Sequence, residues 1–510
     1  MQTVDSRDER SGQGLAARSV WLSSRTACPY AFVINFDTFT FKNWKEKRSY
    51  ATGEQGVAGE RIAMLNKKVG VIVCLGVAAI LMMTAFPARA QTINNEHTET
   101  WNDLGNSIVH GVTAADIDGD GVVEIITVGE TLIGNPAMTK AQLRIWNWTG
   151  TTLFREKTYE WQQAPLASVT VAYGVFAGDL DGDNDQEIAV VGKTGDANGY
   201  DWMIRVFTWD GTTLTSYSPG IVNAPGEAYR AVYAANLVGD SKLEIIAVGD
   251  RINNPHDGGV WLWSFDGSSL GYLDSYYWGS NNDIVANGVS AGDVDGDGVI
   301  EFVTVGYYKQ SALTAKQGQL RIWNYVNSQF TVEKEENINE NGQLTTEWYG
   351  VYLGDVDYDS TTEIVVTGYG YDDTFGVRCN NGVLRIWTWT GIPRVLSLEL
   401  NRQWPVSGSD TISYSVYAKS FAGNYQQIVS GGKTTVSGTD YAQLKIWNWT
   451  GAALNDVAST TWATNNRNTA VNSVYIKDVD SDSKLEILSG GQTYDGNNWN
   501  SQLRISNLTW

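Results

Sequence analysis

Acidic side chains in this chain are grouped into short loops whose spacing is that of a metal-ligand set. The pattern Asp-x-Asp-x-Asp-x-x-x-Glu occurs five times, each copy running into a short apolar stretch. In an irregular turn the first, third, fifth and ninth side chains can converge while the seventh residue offers its carbonyl oxygen. An all-oxygen set without His or Cys predicts Ca²⁺, which takes about six to eight oxygens, over zinc or copper. The predicted ligands are Asp116, Asp118, Asp120, the carbonyl of Val122, and Glu124; Asp179, Asp181, Asp183 and Glu187; Asp293, Asp295, Asp297 and Glu301; Asp355, Asp357, Asp359 and Glu363; and Asp478, Asp480, Asp482 and Glu486.

A solvated turn is the plainer interpretation of such a loop, but four carboxylates within nine residues repel one another unless a cation is bound. An EF-hand opens similarly, yet it needs twelve loop residues and a flanking helix on each side. Here the Glu comes ninth and a strand-like stretch follows it. We therefore expect about five structural calcium sites.

The loops recur with a period near sixty residues. Their first positions fall at 116, 179, 236, 293, 355, 419 and 478, which includes two eroded copies that begin at Asn236 and Lys419. The first eroded copy retains Asp240 and Glu244 and is a weak candidate for metal, whereas the second is predicted to bind none. A fixed period of this length indicates an array of similar units.

The sequence of each unit predicts short strands joined by hairpin turns. Apolar residues alternate in segments such as LRIWNWTG, and Thr-Gly or Asp-Gly pairs mark the turns. Four short strands use about sixty residues, so seven units predict an all-β, seven-bladed β-propeller of four-stranded blades. The last unit lacks a fourth strand, and residues 96–101 (EHTETW) resemble the fourth strand of the first unit, 156–161 (EKTYEW). We expect this N-terminal strand to complete the last blade and close the ring.

Residues 92–510 resemble the FG-GAP (VCBS-type) repeats of integrin alpha-subunit propellers and their relatives in secreted microbial proteins. The resemblance rests on a Gly-containing pair, the acidic loop and a second Gly, as in Tyr173-Gly174, Asp179 to Asp183, and Val191-Gly192. No copy has the family's Ala-Pro pair, and the ninth loop residue is Glu where the family often has Asp. The resemblance implies a calcium-binding propeller with a role in cell adhesion.

The first ninety residues differ from the repeats. Residues 64–90 combine Lys67 and Lys68, an apolar run over 69–86, and Ala88-Arg89-Ala90, which is the pattern of a cleaved secretory signal. An uncleaved membrane anchor over 69–86 is the alternative. Residues 1–63 show no repeat and are interpreted as a non-native or disordered upstream extension. The expected domain is therefore 91–510, secreted or displayed at the cell surface.

Charge and cysteine content narrow the class of partner. Residues 91–510 hold 24 basic and 50 acidic residues, a net charge of −26, which excludes nucleic acid as a partner. Cys379 is the only cysteine in that stretch, so no disulfide can form within it. Calcium and ring closure would then take the place of disulfides in an exported protein.

Aromatic residues are the second strong feature of the repeats. Tryptophan pairs such as Trp146 and Trp148 recur at one phase, and residues two apart on a strand share a face. We interpret these pairs as core packing between neighbouring blades rather than as a platform for sugars. The better candidates for ligand binding break the phase: Trp202, Tyr276, Tyr277, Tyr307, Tyr308, Tyr369, Tyr371 and Trp499.

No catalytic motif is present in the linear sequence. The three histidines lack metal-ligand spacing, and there is neither a G-x-S-x-G elbow nor a P-loop. The leading prediction is a non-enzymatic binding or adhesion module for an extracellular protein or glycan. The alternative is a carbohydrate-active enzyme, a polysaccharide lyase or hydrolase, whose active site is assembled from several blades.

Overall fold

The computed structural model describes residues 91–509 except 104, 134–137, 164–167, 197–198, 220–225, 253–254, 280–281, 311–314, 340–344, 373–378, 391–392, 405–408 and 422–424. The extension predicted for 1–63 and the signal predicted for 64–90 lie outside the described residues. The described residues form 28 strands and no α-helix, so the all-β prediction is confirmed. Within them, no helix is long and apolar enough to cross a membrane.

The strands fall into seven groups of four. The first strands are β2 (Ser107–Ala115), β6 (Val169–Gly178), β10 (Glu227–Ala235), β14 (Asp283–Gly292), β18 (Thr345–Gly354), β22 (Asp410–Lys419) and β26 (Thr469–Lys477). The second strands are β3 (Glu124–Ile133), β7 (Glu187–Asp196), β11 (Glu244–Arg251), β15 (Glu301–Lys309), β19 (Glu363–Asp372), β23 (Gln427–Val436) and β27 (Glu486–Tyr494). Every second strand therefore begins at the ninth position of an acidic loop or of its eroded copy.

The third and fourth strands complete each group. The third strands are β4 (Met138–Trp148), β8 (Gly199–Trp209), β12 (Asp257–Phe265), β16 (Gln317–Val326), β20 (Cys379–Thr390), β24 (Thr439–Trp449) and β28 (Trp499–Thr509). The fourth strands are β5 (Leu153–Trp161), β9 (Leu214–Tyr217), β13 (Leu270–Trp278), β17 (Gln329–Ile338), β21 (Val395–Trp404), β25 (Leu454–Trp462) and, from the start of the described chain, β1 (Thr92–Trp101).

Within each group neighbouring strands pair antiparallel, so the prediction of four-stranded sheets is confirmed and the architecture is propeller-like. The first two sheets are joined only by a single parallel pair, Thr139 with Val169. The seventh sheet has the order β1-β28-β27-β26, with β1 paired from Thr92 opposite Thr509 to Trp101 opposite Ser501. The N-terminal strand thus provides the fourth strand of the C-terminal sheet.

First strands pack side by side in chain order, and β26 packs against β2. The core lies in the wedges between neighbouring sheets, where alternate residues of facing strands meet. Trp146, Trp148, Trp447 and Trp449 are each at most 3 % exposed, as the core interpretation of the recurring pairs predicts.

Each first strand carries one β-bulge near its middle. The pairing register shifts at this point in all seven, as between Val109 and Gly111, leaving one residue in between without a cross-strand partner. A bulge redirects the side chain of the extra residue and is common beside functional sites. The bulge residues are His110, Tyr173, Arg230, Asn287, Tyr349, Tyr414 and Asn472.

Candidate functional site

All five acidic loops share one hydrogen-bond scheme. The ninth-position Glu accepts from the backbone N–H of the second residue, as Glu124 Oε2 does from Ile117 at 3.0 Å, and the first Asp accepts from the sixth N–H, as Asp116 Oδ2 does from Gly121 at 3.0 Å. The third and fifth Asp accept from N–H groups two residues on, at 3.2 Å for Asp118 and 2.7 Å for Asp120. The same four contacts recur in the last loop at Glu486, Asp478, Asp480 and Asp482.

In the 116–124 loop this scheme uses one oxygen of each carboxylate and leaves the other for a cation, whereas Asp179, Asp293 and Asp355 accept at both oxygens. Oδ1 of Asp116 and Asp478 and Oε1 of Glu301 and Glu363 are buried without a hydrogen-bond partner. A buried carboxylate oxygen without a partner is costly, and a bound cation would remove that cost. The donor set and these oxygens fit Ca²⁺.

The carboxylates are close enough to share one ion, although not every predicted ligand joins its cluster. Ligand atoms within 4.8 Å of one another come from all four acidic residues of the 355–363 loop. In the 116–124 and 179–187 loops they come from the first, third and ninth positions, and in the 293–301 loop from the first, third and fifth. Asp295 and Glu301 also form a cluster with Glu333, a β17 residue that the sequence pattern did not indicate.

Backbone conformation explains the turn residues of the loops. The sixth position has positive φ throughout, at 89° for Gly121, 75° for Asn184 and 73° for Ser360, which is the left-handed conformation that a sharp turn needs. The fourth position also has positive φ, which the sequence analysis missed. It is Gly in several loops but Tyr358 (63°) and Ser481 (61°) in two others, where the turn is held against the preference of the side chain.

Burial shifts the proton equilibrium of the ninth-position glutamates. It raises the pKa of Glu124, Glu187 and Glu301 to about 7 and that of Glu363 and Glu486 to about 8, with the neighbouring Asp charges adding to the effect and the backbone N–H opposing it. Burial likewise raises the pKa of the third-position Asp residues 118, 181, 295, 357 and 480. Such shifts mark carboxylates that are buried and held close together, and Arg394 at Asp295 and Lys484 at Asp480 oppose the rise in pKa only in part.

The two eroded copies have lost part of the acidic ligand set. In the third sheet the Asn236 side-chain amide donates to the Asp240 carbonyl, and exposed Val238 stands at the third position. In the sixth sheet Gln427 Oε1 accepts at 2.7 Å from the N–H of Phe421, the third loop residue rather than the second, and Gln427 Nε2 donates to Tyr425 O at 3.3 Å. Neutral amides thus fill the positions that carboxylates occupy in the intact loops.

Arg394 enters the loop of the fourth sheet from the turn between β20 and β21. Its Nε lies 2.6 Å from Asp295 Oδ2, and its other nitrogens lie 2.5 Å from Asp297 and 3.4 Å from Glu333. At four other loops the corresponding turn of the next sheet brings a Gly instead. A Cβ on these glycines would come within 2.6–2.9 Å of the third-position carboxylate, so only Gly allows the approach: Gly150 at Asp480, Gly211 at Asp118, Gly267 at Asp181 and Gly451 at Asp357.

A second candidate site lies where the seven first strands meet. A cavity of about 220 Å³ is lined by all seven bulge residues together with their small or β-branched neighbours. Six bulge side chains are half-buried and Arg230 is exposed. The bulges lie near the middle of the first strands, whereas the acidic loops follow the C-terminal ends of the same strands. The cavity and the metal sites are therefore separated along the strand direction.

Titratable groups from the second strands surround this central cavity. Asp250, fully buried, accepts from Arg230 Nε at 2.6 Å and contacts His256 Nδ1 at 2.8 Å. Lys193 Nζ lies 5.6 Å from the ring centre of Tyr173, whose ring contacts that of His110 at 5.1 Å.

On the other side of the central cavity, aromatic rings predominate. Tyr349 lies 5.3 Å from Tyr414 and 6.1 Å from Tyr369 between ring centres, and the Tyr369 hydroxyl donates to Glu347 Oε2 at 3.3 Å. Burial raises the pKa of Tyr349, Tyr369 and Tyr414. These phenols therefore stay protonated at neutral pH and can donate hydrogen bonds to a ligand.

Sequence reasoning singled out Tyr307 and Tyr369 near this cavity but missed the bulge residues as a set. The repeat could have revealed the bulge residues. Core residues recur from unit to unit, whereas the residue at the bulge position changes among His, Tyr, Arg and Asn. Of the other aromatic candidates, Trp202 and Tyr277 line a separate aromatic pocket between the second and third sheets.

No protein-family model matches the sequence, and a search of curated proteins finds no match. Solved structures do match, at low identity. Sqt1 from Chaetomium thermophilum is 10% identical over 82% of this chain and 100% of its own, with a TM-score of 0.46.

Two further matched structures are rhamnogalacturonan lyases. The Bacillus licheniformis PL11 lyase is 14% identical over 82% of this chain and 91% of its own, with a TM-score of 0.34. The lyase YesW is 15% identical over 80% of this chain and 90% of its own, with a TM-score of 0.32. At these scores none of the three decides what this chain does.

Proposed function

We propose that this chain is an exported, calcium-stabilised β-propeller of FG-GAP type that binds a glycan or protein ligand at the central cavity. The observation that carries the proposal is the row of seven bulges, which directs one variable side chain from each first strand into a single cavity. Structural features recur in every unit, so a position that varies and still converges is the best candidate for recognition.

Seven closed blades are part of the proposal. Its supports are the packing of β26 against β2, the pairing of β1 with β28, and a cavity lined from all seven first strands. Closure would leave no first or last sheet with an exposed packing face, and pairing of the two chain ends would hold the ring shut.

Calcium is assigned a structural role. Each loop ties the first strand of a sheet to the second, and the bound ion would neutralise carboxylates whose ionisation otherwise opposes folding. An ion present at tenfold its dissociation constant adds about 1.4 kcal/mol to the free energy of unfolding. The proposed sites are the five intact loops.

Of the two ligand classes, a glycan fits the cavity better. Protonated tyrosines, Arg230, Lys193 and the Asn side chains offer donors, and the Tyr rings offer flat apolar faces. Sugars present hydroxyl groups around the ring and apolar C–H faces above and below it, so they use both. Export of residues 91–510 after cleavage of the 64–90 signal would place the site outside the cell, and an uncleaved 69–86 segment would tether it to the membrane.

A carbohydrate-active enzyme is the second candidate, and one observation favours it. His110, a group able to transfer protons, lines the cavity with its ring 5.1 Å from that of Tyr173, and Lys193 Nζ lies 5.6 Å from the same Tyr173 ring. The cavity is thus chemically mixed rather than uniformly acidic, as an active site built from several blades requires.

Binding to an immobilised panel of polysaccharides, in calcium, tests the proposal. Tyr173→Ala should weaken capture of a bound polysaccharide at least tenfold, whereas Tyr276→Ala, on the fourth strand β13, should leave it unchanged. Equal binding by both variants would remove the central cavity as the site. Release of new reducing ends or unsaturated products from a bound polysaccharide, lost in His110→Ala, would establish the enzymatic candidate instead.

A further inference from the structure

The third sheet departs from the other six at one core position. Third-strand residues that pair with the fourth residue of the second strand are basic in six sheets: Arg144, Arg205, Arg321, Arg385, Lys445 and Arg504. In the third sheet this position is Trp261, opposite Ala247.

Each of the six basic side chains lies over a tryptophan ring. Arg504 is 4.1 Å from the centre of Trp462, Arg144 is 4.8 Å from Trp101, and the remaining four are 4.9–5.5 Å from their nearest ring. The attraction of a cation to an aromatic face operates within about 6 Å and strengthens as water is excluded. Six wedges therefore contain an internal cation held on aromatic rings.

The wedge between the second and third sheets has the rings without the cation. Trp202, Tyr229, Trp263 and Tyr272 line a pocket of about 310 Å³ together with Trp261 and Tyr277. In the part of the chain that the structure describes, no Lys or Arg lies over Trp202 or Trp263. Arg251 lies over Tyr277 at 4.4 Å, but it pairs with Asp257 and does not line the pocket.

This aromatic pocket also has a carboxylate at a first-strand position that is not acidic in the other six sheets. Glu227, only 7 % exposed, lines the wall and accepts from the Tyr277 hydroxyl at 2.8 Å, which in turn accepts from Trp261 Nε1 at 3.0 Å. The equivalent positions in the other sheets, defined by the same cross-strand pairing, are Ser107, Thr170, Ile284, Thr346, Thr411 and Thr469. At this first-strand position an acid therefore appears only in the sheet from which the internal cation is missing.

The fourth strand of the second sheet, which borders the aromatic pocket, is shorter than the fourth strands of the neighbouring sheets. Strand β9 has four residues and ends at Tyr217, whereas β5 and β13 continue to Trp161 and Trp278. The ring of Trp202, on the third strand, takes the place of such a terminal tryptophan and lies 5.1 Å from Trp263. Among the residues that the structure describes, the aromatic surface of this wedge is consequently not covered by a full-length fourth strand.

We propose that the aromatic pocket binds an alkylated ammonium group, such as the trimethylammonium head of choline. Aromatic faces with one carboxylate replace the hydration of a large, weakly hydrated cation, as in aromatic cages for quaternary ammonium. The volume is near the lower end of the range of ligand pockets, about 300–1,000 Å³, so it suits a compact head group. The net charge of −21 would draw cations toward it.

Calorimetry of the full chain with choline tests this assignment, using 3,3-dimethylbutan-1-ol as the neutral analogue of the same shape. Choline should bind at least tenfold more tightly than the alcohol, and tetramethylammonium should compete with it. Equal affinities would overturn the proposal, since the pocket would then recognise shape and apolar surface without charge. Binding of methyl glycosides but not of choline, or of no probe at all, would overturn it as well.

Two variants and a control locate the site. Glu227→Gln, which keeps the side-chain volume nearly constant, and Trp263→Phe, which keeps an aromatic ring of smaller area, should each weaken choline binding about tenfold. Glu347→Gln removes a buried carboxylate of β18 outside the pocket and should leave choline binding unchanged. Choline binding that is unaffected by both pocket variants, with the circular dichroism spectrum preserved, would place the cation elsewhere and overturn the assignment.

Discussion

At the scale of single residues, the ninth position of each loop has two tasks. One carboxylate oxygen of Glu363 accepts the Val356 N–H at 2.7 Å, and the other is buried without a hydrogen-bond partner. Gln427 Oε1 in the sixth sheet also accepts a loop N–H, that of Phe421, while its Nε2 donates to Tyr425 O. An amide at this position therefore supports a loop hydrogen bond but offers one ligand oxygen where a carboxylate offers two.

We expect the Arg394 guanidinium to compete with calcium at the 293–301 loop. Calcium entering the 293–301 loop must displace a guanidinium paired with Asp295 and Asp297. Partly exposed ion pairs are worth about 0–1 kcal/mol each, so Arg394→Gln should tighten calcium binding at this one loop by roughly three- to tenfold. Titration against a chromophoric chelator should show one weak site in the wild type and none in the variant.

The matched control for Arg394 is Arg402→Gln, because Arg402 forms an exposed pair with Asp456 away from the acidic loops. Calcium binding in this variant should equal that of the wild type. An Arg394 variant with the wild-type set of affinities would mean that the guanidinium does not compete with the ion.

At the scale of elements, β1 joins chain positions more than four hundred residues apart. Its last residue, Trp101, is 8 % exposed, donates from Nε1 to Gln142 Oε1 at 2.8 Å, and supports the Arg144 guanidinium. The strand is thus anchored both by pairing with β28 and by packing against the first sheet.

Removal of this anchor should be costly. Trp101→Ala is expected to lower the free energy of unfolding by about 3–5 kcal/mol, the usual range for truncating a buried aromatic side chain. Phe154→Ala, at a position 53 % exposed on β5, should change it little. Denaturant unfolding of the two variants compares them, and equal midpoints would show that the contacts of β1 do not hold the last sheet to the first.

At the scale of the whole molecule, the acidic loops couple stability to pH and calcium. The folded-state pKa of the ninth-position glutamates is raised to about 7 or 8 from an ordinary value near 4.5. The metal-free fold therefore binds more protons than the unfolded chain, and its stability falls as pH rises between about 4.5 and 8. Calcium favours the ionised form and should reverse this loss.

Metal removal at two pH values tests this coupling. Chelation should lower the melting temperature of the full chain more at pH 8.5 than at pH 5.5, and calcium added at pH 7 should release protons. Metal analysis of the calcium-loaded protein should give about five ions per chain. A chelator effect that does not depend on pH, or a response to magnesium equal to that to calcium, would contradict the assignment of the glutamates as ligands.

Structural features that are local, or that repeat along the chain, could be predicted from the residues alone. Alternating apolar residues, turn pairs and a sixty-residue period predicted four-stranded antiparallel sheets, and the acidic spacing predicted loops that the structure holds with one set of hydrogen bonds. Those features depend on backbone geometry within a few residues, so the sequence is sufficient to predict them.

Contacts between residues of different repeats became evident only from the folded structure. The bulges bring His110 and Tyr414 to one cavity, Arg394 reaches a loop about a hundred residues earlier, and Trp261 and Glu227 face each other across strands of the third sheet. None of these contacts follows from spacing along the chain, because each depends on how the sheets pack and on one unit departing from the pattern of the rest.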